Sequence, residues 1–192
     1  MSNMAINNTV TLLRSLQPEE RLNLTGTGKA ILGKPAGSEV EEYLNDLTVE
    51  ANKAAASLFC GSILAGQSSE TDEYGDVGVW LGDLEVEPTS NRPKPEAIIK
   101  ALSLTQWAEK VRKLEISAET GLPVNIPAGS TIERVRELFG RLTDTVGLTV
   151  KGGSSGPSNV GPGTFIYVIV GKLGGCAGWA GLIGVGIMSD VE

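Results

Sequence analysis

With 192 residues, 16 basic against 23 acidic side chains and no histidine, the chain is long enough to bury its own core but lacks the commonest general base and metal ligand. The missing histidine excludes Ser-His and Cys-His nucleophile arrangements, and the two cysteines cannot by themselves close a structural zinc site within one chain. A net charge of −7 with no basic stripe disfavours direct binding to nucleic acid.

The charge imbalance is local, since residues 67–96 hold eight acids against two bases and carry nearly all of it. The amino terminus, MSNMAINNTVTLLRSL, has neither a basic leader nor an uninterrupted apolar core, which points to cytoplasmic synthesis without a secretory signal. Cys60 and Cys176 read as two free, buried thiols.

Residues 1–36 read as an amino-terminal arm and loop. Leu12, Leu13 and Leu16 recur at helical spacing, and Pro18-Glu19-Glu20 suits a helix start. Gly28 to Lys34 fits the first seven positions of the phosphate-binding loop G-x-x-x-x-G-K. Pro35 then stands where that loop needs a hydroxyl and an immediate helix, so a polar loop is expected instead. A single α+β domain is expected over 37–192. It opens at the capping box Ser38-Glu39-Val40-Glu41, which starts a long helix over about 39–66. Val40, Leu44, Leu47, Ala51, Ala54, Leu58, Gly61 and Ala65 alternate spacings of four and three along it. They form a seam that serves either the core of the same domain or a contact with another subunit.

Residues 67–76 form an acidic loop. Val77–Leu81 and Leu84–Glu87 flank Gly82-Asp83, which predicts a hairpin pairing Leu81 with Leu84 and Val79 with Val86. Glu70, Asp72, Glu73 and Asp76 near Trp80 are the only plausible acid and base equipment, but their spacing fits no calcium loop and no cofactor motif accompanies them. From Pro95 a helical pattern reaches about Leu114, with Ser103–Thr105 splitting it in two. Leu122–Ile126 reads as a short strand. A second capping box, Ser130-Thr131-Ile132-Glu133, starts a helix with a stripe of Ile132, Val135, Leu138, Phe139 and Leu142, and Val146–Val150 reads as a strand. Gly152 to Gly156 matches the nucleophile-elbow pattern G-x-S-x-G in form, but Pro157 and Pro162 follow where a helix is required.

Thr164 to Met188 is the only long uncharged run, broken by Lys172 alone. Its ten Leu, Ile, Phe and Val residues favour membrane insertion by about 3–6 kcal/mol, against about 2.5–3.5 kcal/mol for a lysine near mid-span. Insertion is therefore marginal, and the β-branched run Phe165–Val170 favours a sheet-centre strand. Gly171–Gly175 reads as a turn and Ala177–Met188 as a second extended segment folding back beside the first, giving a mainly antiparallel sheet with a carboxyl-terminal apolar pair. Gly175, Gly178, Gly181 and Gly184 recur every third residue, which fits no strict strand alternation and leaves a bulge, an irregular segment or a tightly packed helix as alternatives there.

The function expected from these features is that of a structural, self-associating subunit of a homo-oligomeric assembly such as a virion, shell or tail-like particle, in contact with its own copies or other subunits of one particle. The expected contacts are Leu44, Leu47, Ala51, Ala54 and Leu58 of the seam, with Gly175, Gly178, Trp179, Gly181 and Gly184 of the glycine-rich end. No catalytic, cofactor or metal residue is assigned. The alternative is a tail-anchored or membrane-active protein using 164–188, and a third reading is a carboxylate-based enzyme or nucleotide binder.

Overall fold

The strand Thr164–Leu173 has two apolar faces, and the architecture follows from covering both. Phe165, Tyr167 and Ile169 alternate with Ile166, Val168 and Val170, and all six are buried. Each such side chain contributes about 1.5–3 kcal/mol when it leaves water, so neither face can be left to solvent. The computed structural model describes residues 3–17, 31–153, 156–157 and 160–189. Within them the elements run α1 (Asn3–Leu16), β1 (Ile31–Leu32), α2 (Ser38–Ser57), β2 (Val77–Gly82), α3 (Pro95–Ala101), β3 (Ala108–Lys113), α4 (Glu133–Phe139), β4 (Leu142–Gly152), β5 (Thr164–Leu173) and β6 (Trp179–Ile187).

The fold is a single α+β domain. Its six strands form one sheet in the order β1-β2-β6-β5-β4-β3, antiparallel except for the β1–β2 pair. On one face Phe165, Tyr167, Ile169, Ala180 and Leu182 pack with Tyr43, Leu44 and Leu47 of α2 and Val135, Leu138 and Phe139 of α4. On the other, Ile166, Val168, Val170, Ile183 and Val185 pack with Val10, Leu13 and Leu16 of α1 and with Ile98 and Ile99 of α3. The helices α2 and α4 are also pinned to each other. The Tyr43 hydroxyl donates to the Leu138 carbonyl at 3.0 Å, and the Arg141 guanidinium lies 4.7 Å from the centre of the Tyr43 ring.

The carboxyl-terminal strand pair, its turn and the strand at 146–150 stand where their patterns put them; of the expected helical stripe Val135, Leu138 and Phe139 lie buried on α4, while Ile132 precedes the helix and Leu142 begins β4. The helix α1 (Asn3–Leu16) is docked on the sheet. The Thr9 hydroxyl donates to the Gly75 carbonyl at 2.7 Å, and the Gly75 N–H donates to the Ala5 carbonyl at 3.1 Å. Neither capping box forms, because α2 and α4 begin without a side-chain cap, with Gly37 and Ile132 at the cap positions.

Four expectations are corrected. The hairpin of 77–81 with 84–87 is absent: residues 77–80 are buried on both faces, so β2 enters the sheet between β1 and β6, while the charged 84–87 turns away. The second helix of the 95–114 region is the strand β3. Ser103 at φ 57 ends α3, and an edge strand that leaves most of its residues exposed needs no apolar face, so the helical spacing of Ala108, Val111 and Leu114 is coincidental. Leu122–Ile126 is not a strand: Pro123 makes a single bridge to Ile116, and the chain then turns, with the Ile126 N–H donating to the Pro123 carbonyl at 2.9 Å. The long helix stops at Ser57, nine residues before the expected Gly66.

The cause of that stop is a helix terminator built on an unusual residue. Phe59 sits at φ 56, its N–H donates to the Ala56 carbonyl at 3.2 Å, and the Cys60 N–H donates to the Ala55 carbonyl at 3.0 Å. This is the Schellman arrangement with phenylalanine where glycine is usual. The left-handed conformation costs a side-chain-bearing residue about 1–2 kcal/mol, and a ring that is 95% exposed recovers little by burial. Phe59→Gly is therefore expected to raise the unfolding free energy by about 1 kcal/mol, read as a higher denaturant midpoint at constant slope; an unchanged or lower midpoint contradicts this account of the cap.

Candidate functional site

Two places combine polar groups with an unusual environment, one inside the molecule and one on its rim. The inner one is Asp76, just before β2, whose side chain is fully buried. It accepts from the Ser62 hydroxyl at 2.6 Å and the Ile63 N–H at 2.6 Å, and the Leu64 N–H also bonds to it. Asn52 of α2 braces its backbone, donating to the Asp76 carbonyl at 2.7 Å and accepting from the Asp76 N–H at 3.2 Å. Beneath the carboxylate runs β6, where Gly184 faces Ser62 and Asp76 and any β-carbon would collide with both. The arrangement ties the 61–66 turn, α2 and two strands together through a single acid. Burial pushes its pKa up to about 6, opposed by the bonds from Ser62, Ile63 and Leu64.

The outer place is β3. It is the last strand of the sheet, and every residue from Glu109 to Lys113 is exposed. The Leu114 N–H donates to the Gly147 carbonyl at 2.9 Å, and the register pairs Arg112 with Thr149 and Lys110 with Lys151. Because antiparallel ladders alternate, Lys110, Arg112 and Leu114 direct their backbone groups at β4, and Val111 and Lys113 direct theirs outward. An outward row of this kind is a template for another strand. At the opposite rim β1 has only two residues, Ile31 and Leu32, both buried.

An open groove of about 1060 Å³ borders β3, lined by Val111, Lys113, Val146, Leu148, Pro93 and Glu96 among others. Two turns of one design contribute to it. Leu84-Glu85-Val86 leads to a bridge between Val86 and Pro93, and Leu114-Glu115-Ile116, thirty residues later, leads to a bridge between Ile116 and Pro123. In the first the Glu87 N–H donates to the Arg92 carbonyl at 2.9 Å, and in the second the Ser117 N–H donates to the Leu122 carbonyl at 2.8 Å. Left-handed residues, Asn91 and Gly121, occupy the same place in each. Sequence reasoning missed this repeat, although the recurring Leu-Glu-(Val/Ile) and the proline seven residues after its last member were visible.

Of the expected contact residues, Leu44, Leu47, Ala51, Ala54, Gly178, Trp179, Gly181 and Gly184 are buried within this chain, Leu58 is half-buried and Gly175 is exposed in the β5–β6 turn. Glu70, Asp72 and Glu73 are exposed, whereas Asp76 is buried. Among the described residues no three His, Cys, Asp or Glu side chains are grouped to hold a metal ion. Glu70 accepts from the Ser189 N–H at 2.8 Å and hydroxyl at 2.7 Å, which holds its carboxyl below the usual range. Of the phosphate-loop-like segment, Gly28 to Ala30 lie outside the described residues; the chain beyond them forms β1 and then passes Pro35, and the next helix starts only at Ser38. Ser154 and Ser155 also lie outside the described residues, while Gly152 and Gly156 pack against the Trp107 indole. Cys60 and Cys176 are free and half-buried, and burial pushes the Cys60 thiol up to about 11.

Compared with known protein families, curated proteins and solved structures, the chain matches none.

Asp76 makes stability depend on pH with a definite sign. Its folded pKa, about 6, lies above the ordinary value of 3.8, so the folded state holds a proton that the unfolded chain has released. That contribution is fully present below about pH 4 and is lost as pH rises through about 6, an amplitude of up to about 3 kcal/mol. The stability of the wild type relative to Asp76→Asn is expected to improve as pH falls from 7 to 4, measured by denaturant unfolding at each pH. A flat difference would show that the carboxylate does not titrate in this window. Asp76→Ala, which leaves the Ser62, Ile63 and Leu64 donors unpaired, is expected to cost about 3 kcal/mol or more at pH 7.

Proposed function

We propose that the protein is a structural subunit that self-associates, a component of a homo-oligomeric assembly that works by contact and not by catalysis. The open edge of β3 carries this reading: a strand exposed along nearly its whole length, with backbone groups directed outward and a groove beside it. The seam of α2 and most of the glycine-rich end are occupied inside the chain, so the contacts belong to the rim of the sheet and its turns.

The run 164–188, which raised the alternative of a membrane segment, forms the adjacent central strands β5 and β6. No helix among the described residues is long and apolar enough to cross a membrane.

Native mass measurement tests the proposal. A defined oligomer is expected at micromolar concentration, with dissociation on dilution. A monomer at every concentration up to the solubility limit removes self-association as the function.

A further inference from the structure

We infer that self-association joins β3 of one copy to the extended segment Glu85-Val86-Glu87 of a second copy. Like the proposed function, this requires that the chain self-associates; it adds which surfaces meet, and in what register.

The backbone geometry of the two segments is complementary. Val111 directs its N–H and carbonyl away from β4, as the ladder alternation requires. Val86 does the same on its turn. Glu87 donates its N–H to Arg92 and accepts from the Asn91 N–H at 2.9 Å, so Glu87 points into the turn and Val86, its neighbour in an antiparallel bridge with Pro93, points out. Both valines are 39% exposed, and they are two of the few large apolar side chains left at the surface.

Charge then selects the register. Antiparallel pairing of Val86 with Val111 sets Glu85 opposite Arg112 and Glu87 opposite Lys110, two opposite-charge pairs on one face with the valines on the other. Pairing β3 with β3 of another copy about Val111 would instead set Lys110 against Arg112 twice. Glu87 already has Lys94 at 3.9 Å and the Ser90 hydroxyl at 3.2 Å, so Glu85 is the stronger of the two acids in this contact. Pro88, which has no N–H, falls opposite Glu109 at the next hydrogen-bonding pair of the ladder, so the pairing ends there. Glu87 and Val111 line the same groove. The donor and acceptor strips therefore lie on one side of the molecule, and two copies can exchange them reciprocally about a two-fold axis, closing a dimer.

Charge-swap variants test this in the full chain, with circular dichroism to confirm that each is folded. Lys110→Glu/Arg112→Glu and Glu85→Lys/Glu87→Lys are each expected to weaken self-association by about tenfold or more, because both pairs become repulsive. An equimolar mixture of the two variants, and the single chain carrying all four substitutions, are expected to recover it, and wild-type association is expected to weaken as salt is raised. If either variant associates like the wild type, or if neither the mixture nor the fourfold variant recovers, these surfaces do not meet and self-association proceeds elsewhere. A wild type that is monomeric throughout overturns this pairing together with the functional proposal.

Discussion

Burial of β5 on both faces is the constraint from which the rest of this structure follows. A strand with apolar side chains up and down cannot sit at a rim or under a single layer, so it needs a strand on each side and helices above and below. The chain supplies β4 and β6 as neighbours and splits its helices two and two, α2 with α4 against α1 with α3. The small residues of β6 fit the same logic. Ala180 and Leu182 continue the apolar face under α2, and Gly184 then leaves room above the sheet for Ser62 of the 61–66 turn and the Asp76 carboxylate that it bonds.

Asp76 shows how a buried charge is tolerated in such a core. The group loses water, which raises its pKa, but gains three donors that the 61–66 turn would otherwise leave without partners. Thr48, a turn of α2 before Asn52, does the same without a charge, accepting from the Gly78 N–H at 2.8 Å while donating to the Leu44 carbonyl at 2.8 Å. Polar side chains along α2 thus bind the start of β2, and the apolar ones bind its helix layer.

The regions of the fold legible in the sequence were those where burial leaves a periodic trace. The alternation of 165–170, the stripe of 132–142 and the first half of the α2 seam each record a surface facing a core. The misread regions lie where burial decides little. At β3 the side chains face solvent, so nothing in Ala108–Lys113 had to alternate. At Phe59 the helix ends through a backbone conformation that its residue type does not announce. The hairpin signal at Gly82-Asp83 was locally sound, but both edges of Val77–Trp80 were claimed by distant strands, β1 and β6. The candidate surface went unnoticed for a related reason. Exposed strips such as Lys110-Val111-Arg112 and Glu85-Val86-Glu87 look like ordinary charged surface until the backbone shows which way their valines point.

The position of β6 bears on how the chain is made. It is the last of the described strands in sequence, yet it lies between β2 and β5, with Val77 paired to Ile183 across more than a hundred residues. Until it emerges from the ribosome, β2 and β5 each lack a neighbour and the apolar surface meant for it stays uncovered. The sheet therefore cannot close before β6 is made, and until then the uncovered strands are open to non-native pairing.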